Sequence, residues 1–214
     1  VVMEALKVAG VAKNQLDAIA YTQAPGLIGA LLVGACFAKS MAQALGIPTI
    51  AVHHMQAHVI ANLIDAPDIQ FPFLCLTVSG GHTQIVKCKA PLEMEVLGQT
   101  IDDAAGEAFD KSAKMLKLPY PGGPLIDKYA KLGNPLAFKF AEPSIKDLDF
   151  SFSGLKTSIL YFLQSACKQN PHFIEENLHD LCASIQHTII RILMKKLLKA
   201  TRETGIKTVC IAGG

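Results

Sequence analysis

The sequence has almost no net charge and no cysteine pairing pattern, and both absences narrow its function class. Its 20 Lys and Arg nearly balance 18 Asp and Glu, and a net charge of +2 does not by itself indicate a nucleic-acid-binding protein. Such a partner would need a local basic patch or a second subunit. The six cysteines are scattered without a CxxC pair, which argues against a disulfide framework and indicates a reducing cytoplasm.

The sequence also lacks a signal-peptide pattern and a long uninterrupted apolar run. Its longest apolar stretch, residues 26–37, is shorter than the about 20 residues that span a bilayer. The stretch continues into Lys39, Ser40 and Gln43. We therefore expect a buried helix in a cytoplasmic protein that has no membrane partner.

What the sequence does contain is enough apolar material for a folded core. Half of its 214 residues are hydrophobic, which fits one large or two small globular domains. Strand patterns at residues 16–22 and 49–52 alternate with helix patterns at 27–45 and 53–64. This alternation is typical of an α/β layer with parallel strands.

The composition changes at residues 65–70, and we therefore predict two domains, 1–67 and 68–214. Consecutive strands with tight turns open the second domain and predict antiparallel pairing. Its predicted elements are strands 73–78, 84–86 and 93–97, helices 102–116, 125–132, 153–166 and 172–204, and a buried strand 206–212. The chain starts inside a helical pattern and stops at a strand followed by Gly-Gly, so we expect it to be an internal portion of a longer protein.

A glycine pair interrupts the strand pattern at residues 79–84, SGGHTQ. Between two apolar, β-branched runs, Gly-Gly predicts a tight hairpin turn. Gly80 and Gly81 would also let the backbone come close to a ligand and point its amides at an anion. A plain turn does not need Ser79 and His82 beside it. The sequence leaves both interpretations open.

Two histidines lie four residues apart in VHHMQAHV, residues 52–59. On a helix, His54 and His58 project from the same face, which is the spacing that two imidazoles need to hold one metal ion. The zinc-peptidase pattern H-E-x-x-H has a glutamate after the first histidine, but Met55 stands there. A metal site would also need a third ligand, and none stands out nearby. A polar helix surface is the alternative interpretation.

An acidic pattern follows in IDDAAGEAFDK, residues 101–111. On the predicted helix, Asp103, Glu107 and Asp110 form one stripe, which is ordinarily a solvated face. The residues on the opposite side of the predicted helix have unusually small side chains. Gly106 costs a helix roughly 1 kcal/mol relative to Ala, so we expect another group to approach it closely. Asp110 is a candidate acceptor for a ribose or substrate hydroxyl.

Two further stretches combine a loop with a helix start. YPGGP, residues 120–124, leads Gly123 into a predicted helix N-terminus, where amides bind phosphate groups; a simple turn is the alternative. In FSFSGLKTS, residues 150–158, Ser153 is a predicted N-cap and Lys156 could reach an anion. Three glycine-rich turns, SGGH, YPGG and the terminal AGG, each lie beside a strand end or a helix start. Together they indicate a nucleotide cleft.

Together these stretches closely resemble the tRNA N6-adenosine threonylcarbamoyltransferase (TsaD) family, long labelled O-sialoglycoprotein endopeptidase. The matching segments follow the family's order along nearly the whole chain: AYTQAPGLIGALLVGACFAKS, VHHMQAHV, LTVSGGHTQIV, IDDAAGEAFDKSAKMLKLPYPGGP, FSFSGLKTS and CIAGG. The resemblance implies the α/β actin-like ATPase (ASKHA) fold, of the sugar kinase and Hsp70 type, with two lobes around a nucleotide cleft.

The resemblance also implies roles for single residues, but no protein nucleophile, because the attacking amine belongs to the tRNA. The implied ligands of one divalent metal ion, iron or zinc, are His54 and His58. The implied substrate contacts are Thr77, Val78, Ser79, Gly80, Gly81, Asp110 and Gly123. Family members have a strand and an acidic loop before the segment seen here. An asparagine that contacts the nucleotide and an aspartate that completes the metal site lie beyond Gly214.

The activity implied is transfer of threonylcarbamoyl from threonylcarbamoyl-AMP to N6 of adenosine 37 in tRNAs that read codons starting with A. The implied partners are tRNA, a paralogous TsaB-like subunit bound through the first lobe, and a TsaE-like ATPase, with an adenylate or ATP-type nucleotide as ligand. The apolar helix 27–45 could supply the subunit surface, although we expect it to be buried within its lobe. Two alternatives stay open, a metal-dependent glycoprotein endopeptidase and a non-catalytic ATP-binding partner of the same fold.

Overall fold

The computed structural model describes residues 1–213, except for the side chain of Asp65. Contacts divide the chain into two compact units, Val1–Ile60 and Ala61–Gly214, so the division falls within the helix that carries the histidine pair. The predicted boundary between residues 67 and 68 stays a prediction.

The first unit is an α/β layer with two parallel strands. Its elements are α1 (Val2–Ala9), a 3-10 turn (Lys13–Gln15), β1 (Ile19–Ala24), α2 (Ile28–Leu45), β2 (Thr49–His53) and the start of α3 (His54–Asp65). Strand β1 pairs with β2 in parallel, with Ile19 opposite Thr49, and α2 packs on both strands. The parallel pairing predicted from the strand–helix alternation is confirmed.

Helix α2 is exposed in this structure, and the prediction that it is buried was wrong. Only Ala38 and Ala42 of this helix are buried. Ile28 is 84% exposed and Val33 72% exposed. By length and composition alone α2 could also cross a membrane. Composition shows that a helix is apolar, but the surface that covers it depends on how the rest of the molecule packs.

The second unit has a four-stranded sheet in the order β5-β4-β3-β6. Strands β3 (Phe73–Val78), β4 (Thr83–Ala90) and β5 (Glu93–Gln99) form an antiparallel meander. Strand β6 (Val209–Gly213) pairs in parallel with β3, so that Gly213 lies opposite Val78. The antiparallel pairing expected from the tight turns is confirmed. Residue Gly214 of the terminal AGG lies outside the described residues.

Five helices separate β5 from β6 in the chain and pack with the sheet around one hydrophobic core. They are α4 (Ala105–Met115), α5 (Gly122–Ala130), α6 (Ser153–Gln169), α7 (Phe173–Glu176) and α8 (Leu178–Thr204). The largest fully buried side chains of this unit are Phe73, Phe150, Phe152, Leu74, Ile85, Ile126, Leu155, Ile159, Leu181, Ile185 and Ile189. The three of these side chains that belong to α8, Leu181, Ile185 and Ile189, are four residues apart, as on the buried face of an amphipathic helix.

The cysteines are all free thiols, as the absence of a pairing pattern predicted. Burial raises the pKa of Cys75 to about 11 despite a hydrogen bond with Thr77. Burial likewise raises the pKa of Cys182 to about 11. Both thiols are therefore neutral and unreactive at physiological pH.

Candidate functional site

The SGGH turn joins β3 to β4 and holds itself closed through Ser79. The Ser79 amide donates to the His82 carbonyl over 2.8 Å, and the His82 amide donates to the Ser79 hydroxyl over 3.1 Å. Between them Gly80 and Gly81 are exposed, and a Cβ on either would meet nothing within 4 Å. Across residues 1–213, neither glycine amide donates to another group of the chain. The turn therefore presents two available N–H donors above open space.

Helix α4 supports this turn from below at Gly106. A Cβ on Gly106 would come within 2.8 Å of both Gly80 Cα and the Ser79 carbonyl oxygen. The Gly106 amide donates to that carbonyl over 3.3 Å, and the neighbouring Ala105 amide donates to the Thr83 hydroxyl over 2.8 Å. The expectation that a group approaches Gly106 closely is confirmed, and the group is the backbone of the SGGH turn.

The YPGGP loop packs on the same helix one turn further along. The Gly122 amide donates to Asp110 Oδ1 over 2.8 Å. A Cβ on Gly122 would lie 3.1 Å from Asp110 Cα and would overlap Ala113. Helix α5 begins at Gly122, so Gly123 lies in its first turn, where amides have no partner within the helix.

One face of α4 therefore carries both glycine turns. Gly106, Asp110 and Ala113 are four and three residues apart, which places them in line along one side of a helix. The SGGH turn lies over Gly106 and the YPGGP loop over Asp110, about one helical turn, or roughly 5 Å, apart. Five predicted substrate contacts are brought together in this way: Ser79, Gly80, Gly81, Asp110 and Gly123.

The remaining two predicted substrate contacts, Thr77 and Val78, belong to β3. The Thr77 side chain is fully buried, and Val78 is the last residue of the strand. On its other side β3 meets the end of β6, where a Cβ on Gly213 would overlap the Val78 carbonyl. The SGGH turn therefore follows the carboxyl end of a strand beside a parallel neighbour. Open α/β sheets ordinarily bind ligands there.

The FSFSG stretch is anchored by the acidic pair that precedes α4. The Asp102 carboxylate accepts hydrogen bonds from the Ser151 hydroxyl and the Phe152 amide. Burial raises the pKa of Asp102, but these bonds and others from Ser153 outweigh it and hold the pKa below its usual value. Asp102 thus caps α6. The predicted capping role of Ser153 was wrong, because Ser153 is the first residue of the helix.

Asp103 connects α4 to α6 by ion pairs. Its carboxylate lies 2.6 Å from Lys111 Nζ and 3.5 Å from Lys156 Nζ. The prediction that Asp103 begins an acidic helical stripe was wrong, because α4 starts only at Ala105. The anion within reach of Lys156 is this carboxylate.

The predicted metal ligands are neighbours on α3, in the first unit. Nε2 of His54 and Nε2 of His58 are 3.1 Å apart, and the ring centroids are separated by 4.5 Å. The four-residue spacing thus brings the two donor atoms to one point in front of the helix. His53 ends β2, and its Nδ1 accepts the Gln56 amide over 3.4 Å.

The donor geometry of the pair fits one metal ion. Two ligand nitrogens about 2.0–2.1 Å from a tetrahedral zinc ion are roughly 3.3 Å apart, close to the 3.1 Å seen here. Among the described residues no group of three His, Cys, Asp or Glu is placed to hold a metal. The two histidines can therefore supply part of a metal site, and that role stays a prediction.

Comparison with known proteins identifies the family. The family model for TsaD, tRNA N6-adenosine threonylcarbamoyltransferase, matches residues 1–214. The chain belongs to the TsaD family. A tRNA N6-adenosine threonylcarbamoyltransferase of Christiangramia forsetii is 59% identical over 217 residues, covering all of this chain and 64% of that protein. One of Porphyromonas gingivalis is 56% identical over 219 residues, again covering the whole chain and 64% of the relative. The chain thus spans just under two thirds of these TsaD relatives.

The fold agrees with TsaD membership. Component A of (R)-2-hydroxyglutaryl-CoA dehydratase from Acidaminococcus fermentans superposes over the whole chain and 67% of its own length, with a TM-score of 0.51 at 14% identity. The chain has the α/β architecture of the actin-like ATPases, as the resemblance implied.

Sequence reasoning missed the roles of Asp102 and Ser151. An aspartate just before a helix start ordinarily indicates a cap of that helix, which here would be α4, so the local pattern points to the wrong helix. The partners of Asp102 lie about 50 positions later in the chain, and nothing local pairs them.

Proposed function

We propose that the full-length protein transfers threonylcarbamoyl from threonylcarbamoyl-AMP to N6 of adenosine 37 in tRNAs that read codons starting with A. The observation that carries this proposal is the seating of two glycine turns on one face of α4, with Gly80 and Gly81 amides available. The match to the TsaD family over the whole chain supports the same reaction.

In the proposed reaction the tRNA amine attacks the carbamoyl carbon of the mixed anhydride. An N–C bond forms, the C–O bond to the phosphate breaks, AMP leaves with the electron pair, and the proton of the amine passes to water. The Gly80 and Gly81 amides bind the adenylate phosphate and stabilise the charge that grows on it as AMP departs. Gly123, at the start of α5, adds a helix N-terminus.

Asp110 orients the substrate in this proposal. One carboxylate oxygen is fixed by the Gly122 amide, so the group is held in one position on α4. A carboxylate accepts hydrogen bonds only, and its partner would be a hydroxyl of the ligand. The fixed carboxylate thus holds the ligand in line with the turn that binds its phosphate.

His54 and His58 would hold an iron or zinc ion, which when bound supplies Lewis-acid polarisation of a carbonyl. Met55 follows His54 where a zinc peptidase has its glutamate base, and it is buried at 5% exposure. This buried apolar side chain offers no general base for peptide hydrolysis.

We extend the proposal to the partner proteins of the enzyme and to the compartment in which it works. The exposed apolar side chains of α2, which include Ile28, Leu32, Val33 and Phe37, would bind the paralogous TsaB-like subunit. A TsaE-like ATPase would complete the system, and a protein acting on tRNA would work in the cytoplasm.

The test is Gly80→Ala in the full-length protein, assayed by transfer of labelled threonylcarbamoyl to tRNA. The added methyl meets nothing within 4 Å, so the free energy of unfolding should change by less than about 0.5 kcal/mol. The methyl would occupy the space of the ligand phosphate, and kcat/KM should fall on the order of 100-fold.

Ser165→Ala, at an exposed position of α6, is the control and should transfer at the wild-type rate. A stable Gly80→Ala protein with undiminished transfer would show that the SGGH turn does not bind the phosphate. A wild-type protein that transfers nothing to tRNA in the presence of the TsaB-like subunit and the TsaE-like ATPase would overturn the proposed reaction itself.

A further inference from the structure

A basic groove lies between the second half of α8 and the loop that precedes Asp149. Its volume is about 350 Å³. Four of its lining residues are cationic and one is acidic: Lys195, Lys196, Lys199, Arg202 and Glu142. The chain as a whole carries only +2, so this groove concentrates positive charge that the composition does not reveal.

The cations form a row along the helix. Lys195, Lys199 and Arg202 are four and three residues apart, which aligns them on one face. Their spacing along the helix axis is about 6 Å and then about 4.5 Å. A single phosphate would need the cations to converge on one point. A row of cations instead follows a chain of phosphates.

The wall opposite α8 is fixed by Lys196. Its ammonium donates to the carbonyls of Ile145 over 2.7 Å and of Asp147 over 2.8 Å. Burial lowers the pKa of Lys196, and the adjacent Lys199 adds to that effect. Lys199 also reaches the Asp147 carbonyl over 3.2 Å. Both sides of the groove are therefore held in place without a ligand.

Two cations of the row remain available for a partner. Among residues 1–213, neither Lys195 nor Arg202 forms an ion pair, and both are exposed. The one lining carboxylate, Glu142, is occupied by Arg191 at 3.0 Å. Anion binding at Lys195 and Arg202 therefore breaks no existing ion pair.

The segment that lines the groove packs against α6, whose start is bound by Asp102. The Ala141 amide donates to the Ser158 hydroxyl of α6 over 3.0 Å, and Pro143 lies against Gly154 in the first turn of that helix. The same segment then reaches Ser151, which binds Asp102. A strand of nucleic acid in the groove would thus lie beside the helix whose start is tied to α4.

We propose that this groove binds the phosphate backbone of the RNA substrate through Lys195 and Arg202. Lys199, which lies between them, is paired with Glu203 at 3.5 Å. The inference rests on the proposed transfer to tRNA and adds a docking surface to it. Contacts of this kind position an RNA without reading its sequence. They also release counterions, so that binding weakens as the salt concentration rises.

The test compares two double variants of the full-length protein with equal charge change. Lys195→Gln with Arg202→Gln neutralises the groove, and Lys128→Gln with Lys168→Gln neutralises exposed lysines on α5 and α6. The groove variant should bind tRNA on the order of tenfold more weakly at 0.1 M salt. The slope of the logarithm of its binding constant against the logarithm of salt concentration should become shallower by about one to two. The control variant should keep most of the wild-type affinity and slope.

Transfer kinetics separate this inference from the proposed function. The groove variant should show a raised KM for tRNA with kcat unchanged at saturating tRNA. Wild-type affinity in a groove variant that melts normally would overturn the groove inference and leave the transferase proposal standing. Wild-type protein that binds anionic lipid vesicles through the groove but not tRNA would overturn it in favour of a membrane surface. Binding of tRNA without transfer would instead overturn the proposed function.

Discussion

Gly106 lies directly beneath Gly80, and a Cβ on Gly106 would come within 2.8 Å of the Gly80 Cα atom. The glycine inside α4 is therefore present because the SGGH turn rests on the helix backbone. This contact fixes the turn that the proposed mechanism uses for phosphate binding. Four residues further along, Asp110 holds the second glycine loop through Gly122.

Gly106→Ala should destabilise the protein and reduce transfer. Helix propensity alone would make this change stabilising, by less than the about 1 kcal/mol of a helix interior because Gly106 is the second residue of α4. The clash with backbone atoms should instead give a net loss of about 1–3 kcal/mol. The sign of the change in unfolding free energy, measured with urea, separates the two effects. A more stable variant with normal transfer would show that the turn does not depend on this contact.

Metal content should depend on His54 and His58. His54→Ala or His58→Ala in full-length protein should lose bound iron or zinc, measured by mass spectrometry of the purified protein, because each change removes one of two nitrogen donors 3.1 Å apart. His53→Ala is the matched control, since this residue ends β2, and it should keep its metal. Equal metal in all three variants would exclude the pair as ligands.

Asp102→Ala should cost about 1–2 kcal/mol of stability, because the start of α6 loses its carboxylate acceptor. The pKa of Asp102 is held below its ordinary 3.8, so the stabilisation is present above that pH and is lost as the pH falls through the lowered value. The difference in unfolding free energy between the wild type and the variant should therefore become smaller in acid. Asp68→Ala, at an exposed position, should cost little at any pH; a similar loss there would argue against the capping role.

The buried thiols should make the protein less stable in strong alkali. Cys75 and Cys182 have pKa values raised from 9.0 to about 11, so the unfolded state releases their protons first. The stabilisation that the two protonated thiols give the folded state is fully present below pH 9 and is lost as the pH rises toward 11. Urea unfolding from pH 8 to 10.5 should show falling stability, with a shallower fall in Cys182→Ala. Parallel pH curves for the two proteins would contradict this assignment.

Much of the fold could be predicted from the sequence because the patterns that indicate it span only a few neighbouring residues. The Gly-Gly pair between β-branched runs predicted the β3–β4 hairpin, and the alternation of strand and helix predicted the parallel pair β1–β2. Gly106 indicated a close approach before the approaching backbone was known. Hydrophobic period and turn chemistry act over a few residues, so a sequence carries them directly.

Other features were decided only when distant segments met. Asp102 and Asp103 resemble the start of α4 in sequence. Asp102 instead binds Ser151 and Phe152 at the start of α6, and Asp103 pairs with Lys111 of α4 and Lys156 of α6. The basic groove joins side chains of α8 to a loop about 50 residues earlier in the chain. The sequence by itself determined which elements form and where backbone must come close. The tertiary structure determined which charges pair and which face of α2 stays exposed, because those outcomes depend on contacts between residues far apart in the chain.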